Sequence, residues 1–207
     1  MLVGIVLAGG LSRRMGQDKA LLEINGQTQL TRAIACLKDA GCDEVIVSRN
    51  SSGFIVDKFV QQGPVAGIHA CLNHAEYDDA LVIPIDMPLL SKTSLRTLIN
   101  QGRRRDCACY FAHSVLPCYL NRLERASLIA QQRLEHGQRS VSGLLEELGA
   151  AVIELFESNG EGRELYNVNT PQQWAQARCL VDQKGLRMAR VKKQPLCTIK
   201  HSDFNSE

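Results

Sequence analysis

The order of apolar and polar positions divides the chain into short strands that alternate with amphipathic helices. Leu2 to Leu7 is a six-residue apolar run, the length of a buried strand. Ala20 to Ile24 is a second short apolar stretch, and Asn25-Gly26 after it signals a turn. Leu30, Ile34, Leu37 and Lys38 fall at helical spacing, with a stop near Gly41. Glu44 to Ser48 is rich in β-branched residues and reads as a strand. Ile55-Val56-Asp57 predicts another short strand, ending in a carboxylate. Ile68, Leu72 and Ala75 continue a helical pattern that opens at Gly63-Pro64. Ala80 to Ile85 is the most apolar strand, and Asp86-Met87-Pro88 follows it. Ser91 caps a helix that reads to Asn100. Ala108 to Phe111 and Pro117 to Leu120 read as neighbouring strands, and Leu123 to Leu134 as a helix. Ala151 to Phe156 is a late strand, and Gln172 to Asp182 a last helix. This alternation predicts a three-layer α/β/α domain with a mainly parallel sheet and one late antiparallel strand.

Composition changes the picture only at the carboxyl-terminal end. Residues 184–207 hold six Lys or Arg against two Asp or Glu, so with a total of +2 the preceding chain carries about −2. The expected division is a domain over 1–183 and a basic, flexible tail over 184–207. A total of 207 residues with few aromatics and little net charge argues against general nucleic-acid binding. No apolar run approaches the roughly 20 residues of a membrane span, and the amino-terminal run lacks the basic flank of an export signal. The expectation is a cytoplasmic protein whose eight cysteines are reduced thiols. Cys107-Ala-Cys109 is their one close pair, and no second pair of zinc-site spacing accompanies it.

The chemistry concentrates in Leu7-Ala8-Gly9-Gly10-Leu11-Ser12-Arg13-Arg14-Met15-Gly16-Gln17-Asp18-Lys19. Adjacent glycines after a buried strand let a ligand lie against the backbone, and successive N–H groups make a concavity that attracts anions. Arg13, Arg14 and Lys19 add mobile positive charge. These parts suit a polyphosphate; a glycine-rich turn with solvated basic residues is the plainer alternative. A Walker A loop is excluded, because five residues separate Gly10 from Gly16 and Lys19 comes three later. The dinucleotide fingerprint is excluded because Gly9 and Gly10 are adjacent.

Further along, the polar end of the second strand, Ser48-Arg49-Asn50, stands where α/β sheets bind ligands. Gly67, in Gly63-Pro64-Val65-Ala66-Gly67, permits close approach at a helix start. A carboxylate at Asp86, after a buried strand, is costly unless a cation or hydrogen bonds meet it. Mg²⁺ beside a triphosphate takes one or two carboxylates; the alternative for Asp86 is a helix cap. In Tyr166-Asn167-Val168-Asn169-Thr170-Pro171 alternation puts Asn167 and Asn169 on one face. Amide oxygens there can bind a metal or its waters, and Asn169 or Thr170 with Pro171 also makes a helix start.

The pattern L-A-G-G-x-S-x-R-M-G-x-D-K resembles the signature of the molybdenum cofactor guanylyltransferase family, and later segments extend the resemblance over roughly residues 1 to 178. It implies a Rossmann-like nucleotidyltransferase fold and transfer of GMP from GTP to molybdopterin-bound molybdenum cofactor, with Mg²⁺ as cofactor. By that resemblance Lys19, Arg14 and Asp86 carry the reaction. Leu7, Ala8, Gly9, Gly10, Lys19, Ser48, Asp57, Gly67 and Asp86 hold the nucleotide, with Asp57 on the guanine side. Asp86 and Asn169 meet the metal. Arg139, in Gly137-Gln138-Arg139-Ser140-Val141, and Asn167 face the pterin substrate, although a solvated Arg139 explains that segment equally well. Leu116 replaces the His of the family's H-P-x-x-A-L run, so no role that needs an imidazole carries over there. The resemblance further implies proteins that deliver the cofactor or accept the product. A cytidylyltransferase of the same fold and a non-catalytic nucleotide-binding module are the alternatives.

Overall fold

A computed structural model describes residues 1–9, 15–57, 59, 62–74, 77–155 and 163–192, the last nine of these as helix backbone only. Eight strands are described: β1 (Leu2–Leu7), β2 (Glu23–Ile24), β3 (Gln27–Thr28), β4 (Glu44–Ser48), β5 (Asp79–Pro84), β6 (Cys109–Phe111), β7 (Ser114–Asn121) and β8 (Ala151–Ile153). The helices are α1 (Gln29–Ala40), α2 (Pro64–Leu72), α3 (Lys92–Arg105), α4 (Leu123–Glu135), α5 (Val141–Glu147) and α6 (Pro171–Lys192). Six strands form one sheet in the order β4-β1-β5-β7-β6-β8, while β2 and β3 make a separate small hairpin. β7 runs antiparallel to both β5 and β6; the other pairings in the six-stranded sheet are parallel.

Helices cover both faces, which makes three layers. On one face Leu37 of α1 and Leu95 and Leu98 of α3 pack against Val6, Leu81 and Ile83. On the other, Ile68 and Leu72 of α2 and Ala126 and Ala130 of α4 pack against Ile5, Val82 and Leu120. Every residue of β1 is buried, as the uninterrupted apolar run requires of a strand with helices on both sides. Local signals set the ends of α1. The Thr28 side chain accepts from the Thr31 N–H, and Gly41 takes the left-handed conformation (φ 112°) that ends the helix.

Register places the site. Leu7, the last residue of β1, pairs with Ser48, the last of β4, and with Pro84, the last of β5. Three chain segments therefore leave the sheet side by side at its carboxyl edge. Because β7 is antiparallel, its first residues, from Ser114, join them at that edge.

Several expectations change in extent. Ile55 forms a single bridge with Ser48 rather than starting a strand, so Asp57 stands in a loop. α3 continues to Arg105, where Asp106 takes a left-handed conformation (φ 48°) and closes it. β8 ends at Ile153; Phe156 lies outside the described residues. α6 continues to Lys192, past the expected boundary at 183, and residues 193–207 lie outside the described ones. Seven cysteines within the described residues are free thiols; Cys197 lies outside them.

Burial pushes the Cys36 thiol up to about 11 and the Cys42 and Cys109 thiols up to about 12, from an ordinary 9.0. A folded-state pKa above the unfolded one stabilises the fold fully below pH 9 and loses that contribution as pH rises through the folded value. Stability to urea should therefore fall between pH 9 and 11, by about 1.4 kcal/mol per pH unit for each such thiol. Cys42→Ala should flatten the slope; a wild-type stability that stays level from pH 8 to 10.5 would contradict this burial.

Candidate active site

The three segments that leave the carboxyl edge form the walls of a cleft of about 1170 Å³. Leu7, Ala8 and Gly9 line it after β1; Ser48, Arg49 and Asn50 after β4; Ile85, Asp86 and Met87 after β5. Ser114, Val115 and Leu116 of β7 and Asn167 close a further side. The sheet therefore brings Gly9, Ser48, Asp57, Gly67, Lys19, Asp86 and Asn167 to one cavity, as lining residues. Gly10 and Arg14 lie outside the described residues. Arg139 is exposed on the connection between α4 and α5, and it does not line the cleft.

At one end Asp57 is held from three directions. Its Oδ1 accepts from Ser48 Oγ (3.1 Å), its Oδ2 accepts from Asn50 Nδ2 (3.4 Å), and its own N–H donates to Asn50 Oδ1 (3.1 Å). This clasp replaces the strand expected from Ile55-Val56. A carboxylate that is 8% exposed needs such donors, and each oxygen retains further lone-pair capacity for a ligand. Its charge is felt beneath α2, where burial first and Asp57 second push the Cys71 thiol up to about 12. Gly67 makes the arrangement possible: a Cβ there would meet Ser48 Oγ at 2.5 Å. Any side chain would displace the hydroxyl that holds Asp57.

At the other end Lys19 opens a short 3-10 turn, Lys19–Leu21, capped by Asp18 Oδ1 from the Ala20 N–H. Its ammonium donates to Asn169 Oδ1 (2.7 Å) and lies 3.5 Å from Asp86 Oδ2. The segment after β5 is fixed on both sides. Gln29 Nε2 donates to the Ile85 carbonyl (3.2 Å), Arg32 donates to the Pro88 carbonyl (3.3 Å), and the Val168 N–H donates to the Asp86 carbonyl (2.8 Å). Asn169 is fixed by a capping box. Thr170 Oγ1 accepts from the Gln173 N–H, while Gln173 Oε1 accepts from the N–H groups of Asn169 and Thr170. Thr170 is thus the cap of α6, and the Asn169 side chain is left to meet Lys19.

Asp86 suits a divalent cation. Its Oδ1 is buried and has no hydrogen-bond partner among the described residues, a costly state for a carboxylate oxygen. A single carboxylate facing a roomy cleft is the donor set that Mg²⁺ takes when ligand oxygens and water complete its shell. The Asn169 amide oxygen, expected as a further metal contact, accepts from Lys19 and keeps a second lone pair.

The profile of the MobA-like NTP transferase domain matches residues 4–152. The chain belongs to this family. It is 37% identical over 178 residues to the molybdenum cofactor guanylyltransferase of Xanthomonas euvesicatoria pv. vesicatoria, covering 83% of this chain and 92% of that one. A probable molybdenum cofactor guanylyltransferase of Opitutus terrae is 32% identical over 189 residues, with the same coverage. Among solved structures the fold is similar to molybdopterin-guanine dinucleotide biosynthesis protein A from Archaeoglobus fulgidus, with TM-score 0.72 and 25% identity over 88% of this chain and all of that one. It is also similar to 2-C-methyl-D-erythritol 4-phosphate cytidylyltransferase from Thermus thermophilus, with TM-score 0.65 and 19% identity over 88% and 100% of the two chains, a likeness of fold alone.

In the MobA-like site, sequence patterns marked the end of β4 and the Asp18-Lys19 segment but not the bonds that their residues make. Asn50, with Ser48, grips Asp57, and Asp18 and Arg49 pair across the cleft wall at 2.6 Å. The polar end of β4 signalled this region; the pairing itself joins residues too far apart in sequence for any local pattern.

Gly67→Ala should lower nucleotide affinity about tenfold, because the added methyl displaces Ser48 Oγ and loosens Asp57. Ser48→Ala in the same background should recover melting temperature but leave affinity low. A Gly67→Ala protein with wild-type nucleotide titration would show that the Ser48–Asp57 bond does not shape the site.

Proposed function

We propose that this protein transfers GMP from GTP to molybdopterin-bound molybdenum cofactor, giving molybdopterin guanine dinucleotide and pyrophosphate. The observation that carries the reading is the meeting of Lys19 with Asp86 at one end of a cleft whose other end holds a fixed carboxylate, Asp57. The family and the names of the relatives support the same reaction.

The chemistry follows from the nucleophile. The cofactor's terminal phosphate is a monoester, largely dianionic at pH 7 because its second pKa is about 6. It needs no general base, which suits a cleft lined by no histidine among the described residues. Attack of a phosphate oxygen on the α-phosphorus of GTP forms one P–O bond and breaks another, and pyrophosphate leaves with the electron pair. Such a step needs alignment and charge neutralisation. Lys19, aimed by Asn169, neutralises phosphate oxygens as negative charge builds. The backbone after β1, at Ala8 and Gly9, lets the nucleotide lie close. Arg14 and Gly10 extend that loop in sequence. Asp57 accepts donors on the guanine side of the nucleotide. Asp86 would hold Mg²⁺, which when bound supplies Lewis-acid polarisation of the phosphates. Val115 and Leu116 give the acceptor side an apolar wall beside Asn167. Arg139 stays outside this scheme, as a solvated residue. The setting is a cytoplasmic one, with proteins that bring the cofactor and take the product.

Incubation with each NTP, Mg²⁺ and the molybdopterin cofactor should give product with GTP alone. Product formed equally well from CTP would make the protein a cytidylyltransferase, and binding without product a nucleotide-binding module. Lys19→Ala should cost about 10²–10³ in turnover, as expected for one oriented charge, a larger effect than the fall in stability from leaving Asp86 without its counter-charge. Near-normal turnover in that variant would remove Lys19 from the reaction.

A further inference from the structure

The cleft contains an ion pair that no step above requires. Arg49 Nη2 lies 2.6 Å from Asp18 Oδ2, and the Arg49 side chain is only 16% exposed. Its guanidinium also sits over the Phe54 ring, 5.3 Å from the centroid. Both partners line the cleft. Asp18 is divided between two duties: Oδ1 caps the turn that begins at Lys19, and Oδ2 takes Arg49. Arg49 is likewise placed between two groups. It follows Ser48 and precedes Asn50, the two residues that hold Asp57. Its own N–H donates to the Ile55 carbonyl (3.0 Å), which ties it to the loop carrying Asp57.

We infer that Arg49 and Asp18 form a strut that joins the base end of the cleft to the phosphate end and sets the position of Lys19. Both are positioning residues, and the inference rests on the guanine-nucleotide reading above. The physical basis is geometric. A single turn of 3-10 helix has too few internal hydrogen bonds to hold a fixed place by itself. A charge-assisted bond from a largely covered arginine anchors it to the end of β4, a rigid element. Seating the base against Asp57 then holds the wall from which Arg49 reaches Asp18, so the lysine stands where the phosphates of the same nucleotide arrive. A direct phosphate contact by Arg49 is the competing role, but its Nη2 is already committed to Asp18.

The test compares two probes, guanosine and GTP with Mg²⁺, titrated against wild type, Arg49→Gln, Asp18→Asn and the double variant. Asp18→Asn keeps an oxygen for the cap and removes the charge. Each single variant should weaken GTP about tenfold and leave guanosine affinity and melting temperature unchanged. The double variant should be no weaker than either single one, because both break the same strut. Arg49→Lys should recover part of the GTP affinity. Three variant results would overturn the inference. Equal losses for guanosine and GTP, together with a lower melting temperature, would make the pair a structural prop. Additive losses would mean that the residues act independently. A loss for Arg49→Gln with none for Asp18→Asn would make Arg49 a direct phosphate contact. A wild-type protein that binds neither probe would overturn the guanine-nucleotide reading itself and the strut with it; that failure is distinct, because it precedes any variant.

Discussion

A carboxylate just beyond the end of the strand with the most apolar core is the constraint around which the site is built. β5 places Ala80, Leu81, Val82 and Ile83 in the core, all nearly inaccessible, and two residues beyond its end the chain presents Asp86. An isolated charge there would be destabilising by several kcal/mol. The fold meets it with Lys19 from one side and orients that lysine with Asn169 from the other. Three positions distant in sequence are therefore brought to one point, and removing any one leaves a partly buried polar group short of a partner. Among the described residues the other oxygen, Oδ1, has no hydrogen-bond partner, a demand that a cation would satisfy.

Much of the surrounding structure serves to hold this point. Gln29 and Arg32, on one face of α1, grip the backbone on either side of Asp86 through the Ile85 and Pro88 carbonyls. Val168 binds the Asp86 carbonyl, and its side chain packs with Leu89 and with Trp174 and Ala177 of α6. The capping box at Thr170 and Gln173 then fixes the amide that points Lys19. The carboxyl-terminal helix is thus part of the site's support, since its cap and its apolar face fix Asn169. At the opposite end a second carboxylate, Asp57, is fixed by an independent set of donors. Two acidic groups thus stand at the ends of one cleft, with a lysine at one of them, an arrangement that suits the separation of base and phosphates in the proposed function.

The strands that build the cleft were legible because their signal is continuous. β1, β4 and β5 are short apolar runs bounded by polar residues, and the parallel arrangement follows from the helical spacing between them. The region around Asp57 was not legible as a strand or a loop. Ile55-Val56 has β-branched composition, yet Ile55 makes only one bridge and the segment is held by the Asn50 side chain. The end of α3 was also hidden, because Gln101-Gly102-Arg103-Arg104-Arg105 carries no apolar period; a left-handed Asp106 terminates it. Asp86, Lys19 and Asn167 were placed in the cleft by their motifs. Arg139 was not, because a basic residue in a Gly-x-Arg context says nothing about which way a surface connection faces. Asn169 was legible, and its amide oxygen meets the lysine. Asp18 and Arg49 each stand in a segment that the sequence marks, but their pairing was not legible, since the two residues are 31 positions apart.

The central claim of the proposed function is that Asp86 is the charged group through which the site would engage Mg²⁺ and the nucleotide. Single-turnover GMP transfer measured across a Mg²⁺ titration, for wild type and Asp86→Asn, tests it most directly. The asparagine keeps the shape and removes the charge, so folding should survive, with a melting temperature equal to or above wild type. A Lewis-acid contribution of several kcal/mol, at about 1.4 kcal/mol per tenfold, predicts a rate lower by roughly 10²–10⁴ and a Mg²⁺ dependence shifted to higher concentration. A variant that transfers GMP at the wild-type rate with the same Mg²⁺ dependence would make Asp86 a structural residue and contradict this account.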